Sequence, residues 1–183
     1  MKAMITGHRP NKLGGYKPNP LRTKVQNWLS SLAVNAKTRD NDLEIITGMA
    51  LGVDQWWAQA AIDANIPFHA YIPFEGQESV WPDESQRAYH QILSKASTKT
   101  VVASKPVSRW GRAMQLRNEA MVDDADWCIA VWNTEESGGT WNCMNYIAKQ
   151  NKHLLIYIPS KDYAYWEKNG KYIKDFEIEK TNL

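Results

Sequence analysis

The sequence predicts an α/β protein, a three-layer sandwich in which helices cover both faces of a mostly parallel, doubly wound sheet. Short apolar runs rich in β-branched residues alternate along the chain with segments of helical periodicity. Helices between strands are typical of crossover connections, which join parallel strands. A glycine directly follows two of the apolar runs, as expected for turns that lead from a strand into a helix.

The elements are predicted in chain order. Strands are expected at 2–6, 43–47, 67–72, 99–103, 127–132 and 153–158. Helices are expected after Pro20, a favoured first-turn residue, over 53–65, 112–125 and 140–150, and in a segment introduced by Asp83 that carries Ala88, Ile92 and Leu93. Asp83 follows Pro82 and is the predicted N-cap of its helix. Residues 10–20, with two glycines and three prolines, are a predicted loop.

The chain is long enough for one domain with a substantial core, and no linker or internal repeat divides it. We expect residues 1–158 to form this domain. Residues 159–183 are expected to be a C-terminal tail that packs on the same domain through its aromatic side chains. A short hairpin around Asn169-Gly170 is predicted within the tail.

Composition excludes several classes of protein. The chain has 43% hydrophobic residues and no apolar run near the roughly 20 residues of a membrane span, so no membrane partner is expected. The net charge of +2 gives no sign of a polyanion-wrapping surface. Cys128 and Cys143 lie in apolar runs, as free thiols of a cytoplasmic protein do. The histidines lack metal-ligand spacing, so neither a metal nor another cofactor is expected.

Residues 43–54 contain the turn that organises the rest of the prediction. A β-branched run stops at Thr47-Gly48, and Gly52 follows immediately before helix-like sequence. The glycines permit positive φ and a close ligand approach, and the helix N-terminus attracts an anion. An ordinary strand-to-helix turn has the same pattern, so this stretch alone leaves both interpretations open.

A second glycine-bearing turn, Ser137-Gly138-Gly139-Thr140, opens the last predicted helix. Its backbone N–H groups and two hydroxyls are enough to hold a phosphate without a metal. The alternative is an N-cap with a flexible turn, and we favour phosphate binding. The chain has neither the lysine of a Gly-x-x-x-x-Gly-Lys loop nor a Gly-x-Gly-x-x-Gly after the first strand, so neither ATP hydrolysis nor NAD-dependent dehydrogenation by those motifs is expected.

In open parallel sheets, ligands bind beyond the carboxyl ends of the strands, where the strand order reverses. Gly7-His8-Arg9 follows the first strand, and Phe74 and Glu75 follow the third. Together with the two glycine turns, these residues are predicted to face one crevice. The convergence of several strand ends carries more weight than any single motif.

Charged side chains near this crevice are the candidates for chemistry. Arg117 can pair bidentately with phosphate or stabilise a charged intermediate, and Asn118 can orient a ribose. A surface salt bridge is the alternative for the arginine. Asp54 fits a helix first turn, where the dipole stabilises a carboxylate, and it could also accept hydrogen bonds from ribose hydroxyls. Trp81, Trp110 and Trp141 could stack on a base or belong to the core.

These motifs together resemble the SLOG superfamily of Rossmann-like nucleotide-binding domains, within it the YpsA-like branch. The resemblance is carried by four stretches: Thr6 to Pro10 with Lys12 to Tyr16, Gly48 to Asp54, Leu116 to Asp126, and Ser137 to Thr140. The second stretch is similar to a turn of the DNA-processing A proteins. The third and fourth are similar to the LONELY GUY enzymes, which hydrolyse the N-glycosidic bond of a nucleoside monophosphate.

The resemblance implies a nucleotide-type ligand more firmly than a reaction. In the LONELY GUY enzymes a glutamate follows the phosphate loop, and here Asn142 stands at that position and lacks an ionisable carboxylate. The predicted ligand-binding residues are Gly7, His8, Arg9, Gly48, Met49, Ala50, Gly52, Asp54, Phe74, Arg117, Asn118, Ser137, Gly138, Gly139, Thr140 and Asn142.

The sequence is compatible with three functions. The leading hypothesis is a binding module for a nucleotide or nucleotide-derived ligand such as ADP-ribose, a cyclic derivative or a nucleotide sugar. The alternative is a metal-independent nucleotide N-glycosidase, phosphoribohydrolase or transferase with Arg117, Asp54 and Glu75 as catalytic residues. The third is single-stranded DNA binding through a rim of Arg109, Trp110 and Arg112, against which the small net charge counts. A homo-oligomer is expected from the many aromatic residues.

Overall fold

The computed structural model describes residues 1–104 and 110–172. Its strands are β1 (Lys2–Gly7), β2 (Glu44–Thr47), β3 (Phe68–Ile72), β4 (Thr98–Val101), β5 (Trp127–Val131), β6 (His153–Ile158), β7 (Tyr163–Lys168) and β8 (Lys171–Tyr172). Its α-helices are α1 (Pro20–Arg39), α2 (Val53–Asp63), α3 (Asp83–Leu93), α4 (Trp110–Asp124) and α5 (Gly138–Lys149). A short 3₁₀ turn, Pro10–Lys12, lies in the loop between β1 and α1.

The strands form one sheet in the order β4-β3-β2-β1-β5-β6-β7-β8. β1 to β6 pair in parallel, whereas β7 and β8 add antiparallel strands at one edge. The prediction of a mostly parallel α/β sandwich is confirmed. From β1 the chain builds outward to β4 and then returns to place β5 on the other side of β1. The strand order therefore reverses between β1 and β5, the position where α/β sheets bind ligands.

Alternating side chains of the central strands supply two separate hydrophobic cores. Ile5 of β1 and Ile129 of β5 face the side covered by α1, α2 and α3, where Trp57 is fully buried. Met4 and Cys128, one residue earlier in each strand, face the side covered by α4 and α5. This period of two places helices on both faces of the sheet, because both faces are apolar.

The first residues of α1 match the sequence prediction, whereas the cap of α3 does not. Asn19 accepts a hydrogen bond from the backbone N–H of Arg22 at 2.9 Å, and Pro20 occupies the first turn of α1 as predicted. The predicted N-cap role of Asp83 is wrong, because Pro82 is the cap residue and Asp83 is the first helical residue. Asp83 instead adds a negative charge to the first turn, where the helix dipole favours it.

The predicted hairpin around Asn169-Gly170 is confirmed. Both residues have positive φ, 54° and 70°, and connect β7 to β8. β7 pairs along its whole length with β6, while residues 173–183 lie outside the described part of the chain. The division of the chain at residue 158 stays a prediction. Across residues 1–104 and 110–172, no helix has both the length and the apolar character that a membrane crossing requires.

Candidate functional site

A cavity of about 310 Å³ opens at the carboxyl ends of β1 and β5, where the strand order reverses. It receives residues from the segments after β1, β2 and β5 and from α4. The predicted ligand-binding residues that line it are Gly7, His8, Arg9, Ala50, Asp54, Arg117, Asn118, Ser137, Gly138, Gly139 and Thr140. Residues distant in sequence thus meet at the carboxyl ends of the central strands, as the predicted topology requires.

Hydrogen bonds fix the turn between β2 and α2. The hydroxyl of Thr47 donates to the carbonyl oxygen of Asp54 at 2.7 Å and accepts from the backbone N–H of Met49 at 3.3 Å. The amide of Gln55 donates to the carbonyl oxygen of Met49 at 3.2 Å. Met49, with φ of 57°, is fully buried under the turn and does not line the cavity. The turn is therefore a rigid wall rather than an adaptable loop.

Arg117 and Asp54 form a buried ion pair at the back of the cavity. Nη1 of Arg117 lies 3.2 Å from Oδ2 of Asp54, and the two side chains are only 6% and 7% exposed. The same carboxylate oxygen accepts from the backbone N–H of Ala50 at 3.3 Å. Burial raises the pKa of Asp54, and the positive charge of Arg117 opposes that rise. The ion pair holds the Arg117 guanidinium at a fixed position beside the cavity. The Asp54 carboxylate is already engaged in this pair.

Gly48 is required for space, not for backbone conformation. A Cβ on Gly48 would lie 1.4 Å from Nη1 of Arg117, so the guanidinium occupies the position that any side chain would need. Gly48 does not have positive φ, contrary to the conformational role expected from the sequence. Gly52 does, with φ of 99°, and serves as the N-cap of α2 against the backbone of His8.

The N-terminus of α5 faces the cavity without a protein cap. Ser137 is the N-cap residue in extended conformation, its side chain makes no capping hydrogen bond, and the first turn holds no acidic residue. Gly138 has φ of 82°, which favours glycine, and among the described residues, apart from chain neighbours and the backbone of α5 itself, no atom comes within 4 Å of a Cβ built on Gly138 or Gly139. Backbone N–H groups at this helix start are therefore open to an anionic ligand.

His8 joins the two sides of the cavity. Its Nδ1 lies 3.5 Å from the hydroxyl of Thr140, which is in the first turn of α5, and both residues are buried. Burial lowers the pKa of His8, and the neighbouring charge of Lys12 lowers it further. The imidazole is thus neutral near pH 7. Within the described residues, Nε2 of His8 and Nε of Arg117 are buried without a hydrogen-bond partner, which is unusual for polar atoms.

The cavity also contains residues that the sequence did not single out as ligands: Thr6, Asn11, Lys12 and Met114. Lys12 forms an ion pair of 2.5 Å with Glu135, which follows β5. Glu135 also accepts a hydrogen bond from the hydroxyl of Ser137 at 2.9 Å, and these contacts lower its pKa to about 2. Lys12 lies in one of the stretches that carry the family resemblance, and this was the sequence signal that could have identified it as a site residue.

Several predicted site residues lie elsewhere. Phe74 is fully buried and packs edge-on against Trp110, with ring centroids 4.9 Å apart. Glu75 is exposed and pairs with Lys99 at 2.9 Å. Asn142 is exposed on α5 and does not line the cavity. Phe74 and Glu75 do not reach the cavity because they follow β3, which lies two strands from β1. The end of β3 is therefore remote from the point where the strand order reverses.

Other chemistry finds little support in this part of the chain. Over residues 1–104 and 110–172, no group of three or more His, Cys, Asp or Glu side chains is placed to hold a metal ion. Both cysteines are buried free thiols. Burial raises the pKa of Cys143 to about 12, so its thiol is not ionised near neutral pH and is a poor nucleophile.

Sequence comparison agrees with the resemblance found in the motifs. The model of the YpsA family, described as the YspA SLOG family, matches residues 3–160. The uncharacterized SPbeta prophage-derived protein YoqJ of Bacillus subtilis (strain 168) is 31% identical over 145 residues, which cover 72% of this chain and 84% of YoqJ.

Structure comparison finds DNA processing protein A from Helicobacter pylori, with a TM-score of 0.62 and 18% identity over 86% of this chain. It also finds DNA processing protein A (DprA) from Streptococcus pneumoniae, with a TM-score of 0.58 and 16% identity over 85% of this chain. This chain spans only 65% and 50% of those two proteins, and at such identities the likeness shows a common fold. By its matching family model, the chain belongs to the YpsA family of SLOG proteins.

Proposed function

We propose that this chain binds a nucleotide or nucleotide-derived ligand, such as ADP-ribose, a cyclic derivative or a nucleotide sugar, with a phosphate on the N-terminus of α5. The observation that carries the proposal is the uncapped helix start of Ser137 to Thr140 opening into the cavity at the strand reversal. Unpaired N–H groups and the helix dipole together favour an anion at this position.

The charges around the cavity support the same ligand class. Arg9 and Lys12 line it from the segment after β1, and Arg117 lines it from α4. Asp54 is paired with Arg117 and Glu135 with Lys12, so these three cations outnumber the two carboxylates paired with them. A phosphate entering the cavity would meet donors and positive charge on several sides, and an arginine at such a site adds a forked donor.

The geometry favours binding over glycoside hydrolysis by the carboxylates predicted from the sequence. A general acid or base must reach the proton that it transfers. Glu75 lies outside the cavity, and Asp54 is buried with its Oδ2 shared between Arg117 and the backbone N–H of Ala50. Binding without turnover is therefore the function that we propose first.

A variant that keeps the helix but repels phosphate tests the proposal. Gly139→Asp introduces a carboxylate in the first turn of α5, where open space accommodates it and the dipole stabilises it. Gly139→Asn is the neutral, nearly isosteric control. We expect Gly139→Asp to weaken the binding of AMP and ADP-ribose, measured by calorimetry, by about tenfold or more, and Gly139→Asn to change it little. Equal affinities for the two variants would reject the phosphate position.

Single-stranded DNA is the second candidate, because the Helicobacter pylori protein with this fold is described by its single-stranded DNA binding mode. Of the predicted DNA-binding rim, Arg112 is exposed at the start of α4, and Arg109 lies outside the described residues. Fluorescence anisotropy with a labelled oligothymidine tests this function. Affinity that falls steeply with salt supports it, since phosphate contacts release counterions, and salt-independent or undetectable binding rejects it.

A further inference from the structure

A second cavity, of about 410 Å³, adjoins the phosphate cavity. Its lining includes three aromatic side chains, Tyr16, Trp81 and Trp110, and we call it the aromatic pocket. Arg9 and Met114 line both cavities, so the two lie side by side at the carboxyl ends of the strands. One ligand could therefore extend from the α5 helix start, past Arg9, into the aromatic pocket.

The two tryptophans of the aromatic pocket are held in place by other rings. Trp110 packs edge-on against Phe74, with centroids 4.9 Å apart. Trp81 packs at 90° against Tyr89, with centroids 5.5 Å apart. Because these neighbours fix the ring planes before any ligand arrives, a planar group can bind without ordering the walls.

The floor of the aromatic pocket is connected to the turn that carries Arg117. Gln77 lines the aromatic pocket and is buried, and its amide contacts the carbonyl oxygen of Gly48 at 3.5 Å and the hydroxyl of Tyr89 at 3.4 Å. Gly48 lies directly beneath the Arg117 guanidinium. Gln77 in the wall of the aromatic pocket thus contacts the turn on which Arg117 of the phosphate cavity rests. This contact fixes the position of the two cavities relative to each other.

Within residues 1–104 and 110–172, the rim of the aromatic pocket exposes apolar surface. Tyr16 is 56% exposed and Val80 is 68% exposed, although both line the pocket. Tyr16 follows Gly14 and Gly15, which both have positive φ, and the backbone carbonyl of Tyr16 accepts a hydrogen bond from Arg22. An exposed aromatic ring on an anchored backbone is suited to stack on a planar ligand.

We infer that the aromatic pocket binds the base of the same nucleotide whose phosphate lies at the α5 helix start. The inference rests on the proposed function and extends it, because it assigns the base of that ligand to a second cavity beside the phosphate site. Base stacking on Tyr16 and Trp110 supplies affinity, buried Trp81 forms part of the apolar wall, and the α5 helix start with Arg117 positions the phosphate.

The experiment compares AMP with ribose 5-phosphate, which has the same phosphate and sugar but no base. Calorimetry is run on the full chain, on Tyr16→Ala, and on Tyr163→Ala as a control at another exposed tyrosine, in β7. We expect the wild type to prefer AMP by about tenfold or more, the range of one stacked base. Tyr16→Ala should lose much of that preference, keep its affinity for ribose 5-phosphate, and remain folded. Tyr163→Ala should match the wild type.

Two outcomes overturn the inference while leaving the proposed function intact. One is equal binding of AMP and ribose 5-phosphate by the wild type. The other is an undiminished preference for AMP in Tyr16→Ala. Failure of the wild type to bind either compound is a distinguishable result, because it contradicts the phosphate site of the proposed function and the inference with it.

Discussion

Replacing Gly48 by alanine tests how the candidate site is built. The new Cβ would lie 1.4 Å from Nη1 and 2.2 Å from Cζ of Arg117, so the guanidinium must move. Its displacement breaks the 3.2 Å ion pair and leaves Asp54 buried without its partner. Such a loss costs about 3–5 kcal/mol, and the gain from a stiffer unfolded chain returns at most about 1 kcal/mol. We expect Gly48→Ala to lower the free energy of unfolding by about 2–4 kcal/mol.

The measurement is urea unfolding followed by tryptophan fluorescence, arranged as a double-mutant cycle. In an Arg117→Ala background the space above Gly48 is empty, so the second substitution should cost less than about 1 kcal/mol. Gly139→Ala is the matched control, because among the described residues no atom outside its chain neighbours and the α5 backbone lies within 4 Å of its added Cβ. A Gly48→Ala variant as stable as Gly139→Ala, or additive costs in the cycle, would refute the packing that we describe.

Three further predictions concern stability. Gly7→Ala should cost about 1–3 kcal/mol in urea unfolding, because its Cβ would lie 2.6–2.7 Å from side-chain atoms of Val53; an unchanged midpoint would contradict this contact. Trp57→Ala should cost about 3–5 kcal/mol, because the side chain is fully buried; a cost below about 1 kcal/mol would place Trp57 outside the core. Since the pKa of His8 is lowered on folding, stability should decrease as pH falls below about 6.5, where the unfolded histidine takes up a proton first. His8→Asn should reduce that slope between pH 7.5 and 5.5, and an identical slope would exclude His8 as its source.

The sequence was sufficient to predict the architecture, and it placed the candidate site at the carboxyl ends of the strands. Alternation of strand and helix patterns predicted the parallel sheet, and the reversal rule brought the segments after β1, β2 and β5 together. Both inferences depend on local periodicity and on chain topology, which a single sequence contains. The phosphate turn at 137–140 was predicted from its glycines and hydroxyls, and α5 begins two residues before the predicted helix, at Gly138.

Roles that depend on tertiary packing could not be predicted. Gly48 has the pattern of a turn glycine, but its size matters because Arg117 from a distant helix lies over it. The pairing of Lys12 with Glu135 joins two loops whose proximity only the folded sheet creates. Phe74 follows a strand end, as ligand-binding residues do, and is buried against Trp110 instead.

The most direct test of the phosphate site is an amide NMR titration of the 21.0 kDa chain with AMP and with ribose 5-phosphate. We predict that both compounds shift the backbone amide signals of Gly138, Gly139 and Thr140, because the phosphate accepts hydrogen bonds from this helix start. Binding that leaves these three amides unshifted while signals elsewhere move would contradict the account.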